Sequence, residues 1–105
     1  MIYDHRTYVC RAGTIKKHLD IYVAHGFAPQ TKHIGQPVLY ATTEVGDVNS
    51  YVHVWAYDSM EDRTKKRAAM QADPAWQDYL RISGEAGYLL SQENKILIPV
   101  PLVAA

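Results

Sequence analysis

From Ser50 to Ser59 the chain alternates with period two, placing Val52, Val54 and Ala56 on one face and Tyr51, His53, Trp55 and Tyr57 on the other. Aliphatic residues alternate here with aromatic ones rather than with charges. Both faces therefore need cover, the pattern of a central strand between two packed layers or beside a pocket. Residues 2–10 share this character, being rich in aromatic and β-branched types, and end at the turn-like Arg11-Ala12-Gly13. They predict a first strand with Asp4, Arg6 and Tyr8 on one face.

Other segments change period. Thr14 can cap a helix over 14–25 with Ile15, Leu19, Tyr22 and Val23 as its apolar stripe. Gly26 reads as its C-cap, and Pro29 opens an irregular or short helical piece that carries His33 and stops at Gly35. Residues 37–44 predict a second strand, joined through Gly46-Asp47-Val48-Asn49 to the central stretch as a hairpin. Ser59 then caps a helix running to Met70, with Asp62 in the return position of a capping box and Arg63, Lys65, Lys66 and Arg67 as a solvated basic face. Asp73-Pro74 restarts the chain as cap and first helical residue, Trp76, Tyr79 and Leu80 share a face, and Gly84 and Gly87 end the helix. Residues 88–101 predict a last strand with prolines at its far end. Gln92-Glu93-Asn94 interrupts its apolar pattern and reads as a bulge or a dimer contact.

The resulting order, β-α-β-β-α-β, belongs to the α+β class and matches the ferredoxin-like split pattern: a four-stranded antiparallel sheet, first and third strands central, helices on one face. Two helical regions cover one face only. Because the central strands alternate aromatic with aliphatic residues, the other face is expected to bury itself against a second copy, giving a sheet-to-sheet homodimer.

Composition narrows the function classes. With 105 residues, 48% of them hydrophobic, the chain reads as a single domain, 1–105. Eleven basic residues balance eleven acidic ones, which leaves no broad positive field for nucleic acid. Cys10 is alone, so no internal disulfide forms, and it reads as a small buried hydrophobe. Nothing at the start resembles a signal or transit segment, and no apolar run approaches the ~20 residues needed to cross a bilayer; a cytoplasmic protein without membrane insertion is expected. Of the five histidines, His18 and His25 lie seven apart, about 10 Å along a helix and too far to share one ion. Neither a metal nor a cofactor is expected.

The ordered motifs Ile2-Tyr3-Asp4-His5-Arg6-Thr7-Tyr8, His33-x-Gly35, Thr42-Thr43-Glu44-Val45-Gly46, His53-x-Trp55-Ala56-Tyr57-Asp58-Ser59, Asp73-Pro74-x-Trp76 and Ser91-Gln92-Glu93-Asn94-Lys95-Ile96-Leu97-Ile98-Pro99 span nearly the whole chain. In this order and spacing they resemble the NIPSNAP family. The resemblance implies a ferredoxin-like subunit that pairs through its sheet into a dimeric α/β barrel. It carries no settled reaction; the family has been linked to vesicle traffic and mitochondria in animals, and its fold relatives include cofactor-independent monooxygenases and haem-degrading enzymes. Two positions depart from the family pattern: Asp4 stands where Glu is common, and His5 where an apolar residue is common.

If the polar faces of the first and third strands coincide, Arg6, Tyr8, His53, Trp55 and Tyr57 line a cavity between sheet and helices. Arg6 would pair a carboxylate or enolate, Trp55 would stack, and His53 would serve as general base. His33 is a further candidate, on a pocket rim or as a hydrogen-bonded loop anchor. The alternative is a structural polar core in which Asp4 pairs with Arg6 or with a partner subunit and Glu93 pairs with Arg6 across an interface. Three functions stay open: binding of a small aromatic or anionic ligand, a protein-interaction module with a structural polar core, and monooxygenase-like chemistry by analogy of fold.

Overall fold

The computed structural model describes residues 1–102. Four strands form one antiparallel sheet in the order β2-β3-β1-β4: β1 Ile2–Cys10, β2 Leu39–Thr42, β3 Ser50–Tyr57 and β4 Leu89–Leu97. The helices are α1 Ile15–Ile21, α2 Phe27–Ile34, α3 Met60–Ala72 and α4 Pro74–Ala86, and they lie on one face of the sheet. The expected ferredoxin-like α+β architecture is therefore present, with β1 and β3 in the middle.

Local chemistry explains the ends. Ser59 Oγ accepts from the Asp62 N–H (3.1 Å), while Asp62 Oδ2 accepts from the Asp58 N–H (3.0 Å), one residue before the cap itself. Asp73 Oδ1 accepts from the Ala75 N–H (2.8 Å) with Pro74 at the first helical position. Helix α4 passes through Gly84 and stops only at Gly87, whose φ of 68° makes it the left-handed cap. Strand β4 ends at Leu97, opposite Tyr3, rather than at residue 101; Pro99, two residues on, has no N–H to offer a ladder. The Gln92-Glu93-Asn94 run sits in a regular ladder; the register shift lies between Val9 and Cys10 instead.

The first helical region differs most from expectation. Helix α1 does not end at Gly26 but runs through a π-helical turn, Tyr22–Gly26, directly into α2. Gly26 is there for space: a Cβ on it would come within 2.8 Å of the Tyr22 ring and 3.0 Å of the Tyr79 ring. His18, Tyr22, Gly26, Gln30 and Ile34, four apart throughout, are all buried, whereas Val23 is 70% exposed.

Trp55 and Tyr57 from β3 meet Tyr22, Ile34, Met70, Trp76 and Tyr79 from the helices in one core between the layers. The opposite face of the sheet carries Val52, Val54 and Ala56 of β3 with Tyr3, His5, Thr7 and Val9 of β1, and no helix covers it.

Candidate functional site

The register of the two central strands assembles the site. Asp4 lies opposite Trp55, Arg6 opposite His53 and Tyr8 opposite Tyr51, so the two polar faces coincide and point toward the helices. Above them is a cavity of about 650 Å³. Arg6, Tyr8, Tyr51 and His53 form its floor, and Tyr40 from β2 extends it. His18, Tyr22 and Gln30 come from α1, the π turn and α2, Arg67 and Gln71 from α3, and Trp76 and Tyr79 from α4.

Hydroxyl-bearing rings dominate the walls. Tyr40 stacks between Tyr22 (centroids 5.1 Å apart) and both Tyr51 (5.7 Å) and His53 (4.9 Å), while Tyr8 meets His53 edge-on at 4.6 Å. Burial pushes the phenols of Tyr22, Tyr40 and Tyr51 far above their ordinary range and that of Tyr79 to about 12, so all remain O–H donors. Tyr51 Oη is bonded to His18 Nε2 (2.7 Å), and Tyr22 Oη donates to Gln30 Oε1.

Beneath the floor sits a fully buried carboxylate. Asp4 accepts from Arg6 Nη2 (3.2 Å), Arg63 Nε (3.1 Å) and Asn94 Nδ2 (3.0 Å). Burial would push its carboxyl up, but the Asn94 hydrogen bond and the Arg6 and Arg63 guanidiniums outweigh it and hold the pKa below the usual value. One acid thus faces two guanidiniums, leaving the cluster with a net positive charge. Arg6 Nη1 also donates to Tyr8 Oη (3.1 Å), which spends two of the three nitrogens of its guanidinium. Its Nε–H is buried and, among the described residues, has no partner.

His53 is 3% exposed and completes the set. An indole N–H can only donate, so the 2.7 Å contact from Trp55 Nε1 makes His53 Nδ1 the acceptor. Burial and the neighbouring Arg6 cation lower the His53 pKa to about 3, which keeps the ring neutral and places its proton on Nε2. That Nε2–H, too, is buried with no partner among the described residues. Two buried N–H donors are therefore left unspent on directly opposed residues that both border the cavity.

Of the residues singled out from the sequence, Arg6, Tyr8 and His53 come together on the cavity. Trp55 and Tyr57 lie in the core beneath it, and Trp55 acts on the site through His53 rather than by facing the cavity. The Tyr57 hydroxyl is buried without a partner among the described residues. His33 is remote, its Nε2 bonded to Asp73 Oδ2 (2.8 Å), where it ties α2 to the cap of α4. Glu93 lies opposite Thr7, alternate to the register position of Arg6, while Asp4 is satisfied within its own chain. The basic face of α3 is not wholly solvated: Arg63 turns inward to Asp4 and Arg67 borders the cavity, while Lys65 and Lys66 pair with Glu61 and Asp62. Tyr22, Tyr40 and Tyr79 escape sequence reasoning because a tyrosine on an apolar stripe reads as core. A composition of eight tyrosines to one phenylalanine was the available signal that ring hydroxyls are wanted here.

The NIPSNAP family model matches residues 3–103. The chain belongs to the NIPSNAP family. It is 34% identical over 101 residues to a NipSnap homolog of Dictyostelium discoideum, covering 96% of this chain and 44% of that protein, and 28% identical over 102 residues to human NipSnap homolog 3A, covering 96% and 40%. This NIPSNAP chain thus spans less than half the length of the curated relatives it matches. Among solved structures, an uncharacterized NIPSNAP domain protein from Burkholderia xenovorans is similar at TM-score 0.91 and 31% identity with both chains fully covered. A protein of Agrobacterium tumefaciens follows at TM-score 0.89 and 35% identity, covering 97% of this chain and 96% of its own. A putative antibiotic biosynthesis monooxygenase from Chloroflexus aurantiacus shares the fold alone, at TM-score 0.60 and 15% identity over 95% of this chain and 94% of its own. No described helix is long and apolar enough to cross a membrane.

Proposed function

We propose that this NIPSNAP domain binds a small organic anion, a phenolate, enolate or carboxylate on a flat ring system, in the cavity between sheet and helices. The observation that carries this reading is the pair of buried, unspent donors, Arg6 Nε–H and His53 Nε2–H, on opposed residues that both border the cavity. A buried donor left without an acceptor costs about 1–3 kcal/mol, and an acceptor on a ligand removes that cost. A second donor-rich feature, the net positive Asp4-Arg6-Arg63 cluster beneath, favours an acceptor that is negatively charged. The tyrosine walls fit a planar partner, and about 650 Å³ lies in the range of small-molecule sites. Neutral His53 acts here as a donor rather than the general base expected from its residue type. The test is a thermal-shift and calorimetric series with hydroxybenzoates and hydroxyanthraquinones alongside their uncharged methyl ethers and esters. Anions should bind, the capped compounds should not, and His53→Gln should weaken binding by about tenfold. Equal binding of anion and capped compound, or no binding by any member, rejects the reading.

The uncovered face of the sheet supports a second expectation, pairing with another copy of the chain. Val52, Val54, Ala56 and Val9 lie there, with Leu39 48% exposed at its border. Sedimentation measured at micromolar concentration should give twice the chain mass. A monomer would refute the pairing without touching the ligand reading.

A further inference from the structure

Helix α4 and its cap turn a single stripe toward the cavity, Trp76, Tyr79, Leu80, Ser83, Gly84 and Gly87, in the i, i+3, i+4, i+7 pattern of one helix face. Along that stripe the side chains shrink from two large rings to almost nothing. Gly84 stands out because nothing about the backbone asks for it: it lies inside a helix, where glycine is disfavoured relative to alanine, and a Cβ built on it would meet nothing within 4 Å. It is the reverse of Gly26, which the packing demands.

What lies opposite the small end is strand β4, which packs chiefly on β1 and keeps Gln92 exposed where it borders the same cavity. The bulky end of α4 therefore closes the cavity against the core, and the small end leaves a gap toward β4. His53, on β3 and one strand further in than β1, borders the same cavity and is 3% exposed, with its Nε2–H unsatisfied among the described residues.

We propose that the gap between the C-terminal half of α4 and β4 is the portal through which the cavity is loaded, and that Gly84 holds the portal open by having no side chain. This rests on the ligand reading above for what is loaded, but not for whether the portal is a path. A side chain at position 84 narrows the path without touching Arg6 or His53, so it acts on the rates of arrival and departure together and leaves the equilibrium nearly alone.

Two measurements on the whole chain test it. Iodide quenching of tryptophan fluorescence reports on Trp76, which borders the cavity, because Trp55 is sealed in the core. Quenching should fall severalfold in Gly84→Phe and stay at the parent level in Gly84→Ala; Gly84→Leu replaces the first variant if it does not fold. Parent-like quenching in the bulky variant overturns the portal. In the second measurement anilinonaphthalene sulfonate serves as an anionic aromatic probe followed by stopped-flow fluorescence. Gly84→Phe should slow its association and dissociation alike, each by about tenfold, with little change in affinity. Loss of affinity with unchanged association would make position 84 a contact and not a gate, and overturn the proposal. A parent chain that binds none of the hydroxybenzoates or hydroxyanthraquinones while iodide quenching still depends on position 84 would sink the ligand reading and leave the portal standing.

Discussion

Acidification should destabilise this protein through His53 before its carboxylates begin to titrate. In the folded chain the ring is buried, accepts the Trp55 indole at Nδ1 and faces the Arg6 guanidinium, with Asp4, His5 and Arg67 the next ionisable groups around it. Burial, then Arg6, lowers its pKa to about 3, whereas an unfolded chain protonates the same ring near pH ~6.5. Below pH ~6.5 the unfolded state therefore binds a proton that the folded state refuses. The stability tied to the neutral ring is whole above that pH and is lost progressively as pH falls toward about 3. Linkage puts the loss at about 2 kcal/mol by pH 5 and about 3 kcal/mol by pH 4, against a total stability of roughly 5–15 kcal/mol for a domain. Urea unfolding followed by tryptophan fluorescence at several pH values between about 7 and 4 measures this directly in the parent and in His53→Gln. The variant should start less stable near neutrality, since Gln does not reproduce the ring's packing, but its stability should fall less on acidification, by about 2 kcal/mol at pH 5. Parallel pH profiles for the two proteins would refute the neutral, Nε2-protonated assignment and the donor role built on it.

Three further outcomes follow from the geometry. Asp4→Asn leaves Arg6 and Arg63 facing each other without their shared carboxylate and should cost about 3–5 kcal/mol in urea unfolding near neutral pH. Because the folded pKa of Asp4 is lowered, its contribution is present above the unfolded carboxylate range and is lost as pH falls below it, so the gap between parent and variant should close in acid. Gly26→Ala drives a methyl group into the Tyr22 and Tyr79 rings and should cost about 1–3 kcal/mol, whereas Gly84→Ala should stabilise by up to about 1 kcal/mol; differential scanning calorimetry should show melting shifts of opposite sign. Asp73→Ala removes both the cap of α4 and the anchor of His33, so hydrogen exchange at the first turn of α4 should speed up and stability drop by about 1–2 kcal/mol.

Features set by neighbours in sequence were legible before the fold was known. The span of β1, the caps at Ser59 and Asp73 and the aromatic alternation of β3 depend on local backbone chemistry and on period two, and the chain shows all of them openly. Arg6, Tyr8 and His53 were legible as candidates for the same reason. That their faces coincide is a matter of strand register, which period two cannot supply. Other features are set by contacts distant in sequence. Gly26 looks like a cap until the Tyr79 ring arrives beside it, and Arg63 looks like a solvated base until the buried Asp4 requires a second cation. Trp55 presents the subtlest case: its ring reads as a platform for stacking, yet its single polar atom faces His53, and its contribution is to fix a neighbour's proton.

The π-helical turn at Tyr22–Gly26 has a bearing on how this domain tolerates changes of length. Each four-residue step along an α-helix overshoots a full turn by about 40°, so the five buried positions from His18 to Ile34 would drift by about 160° in an unbroken one. The wider turn absorbs part of that drift, and it does so by holding one residue more than an α-helical path would need. Chain length and side-chain placement are thereby uncoupled at this point. Loss of one residue from the turn should convert it to α-helical winding, with the two flanking helices keeping their faces on the sheet. In α3 or α4, which lack such slack, the same change would swing everything downstream by about 100°.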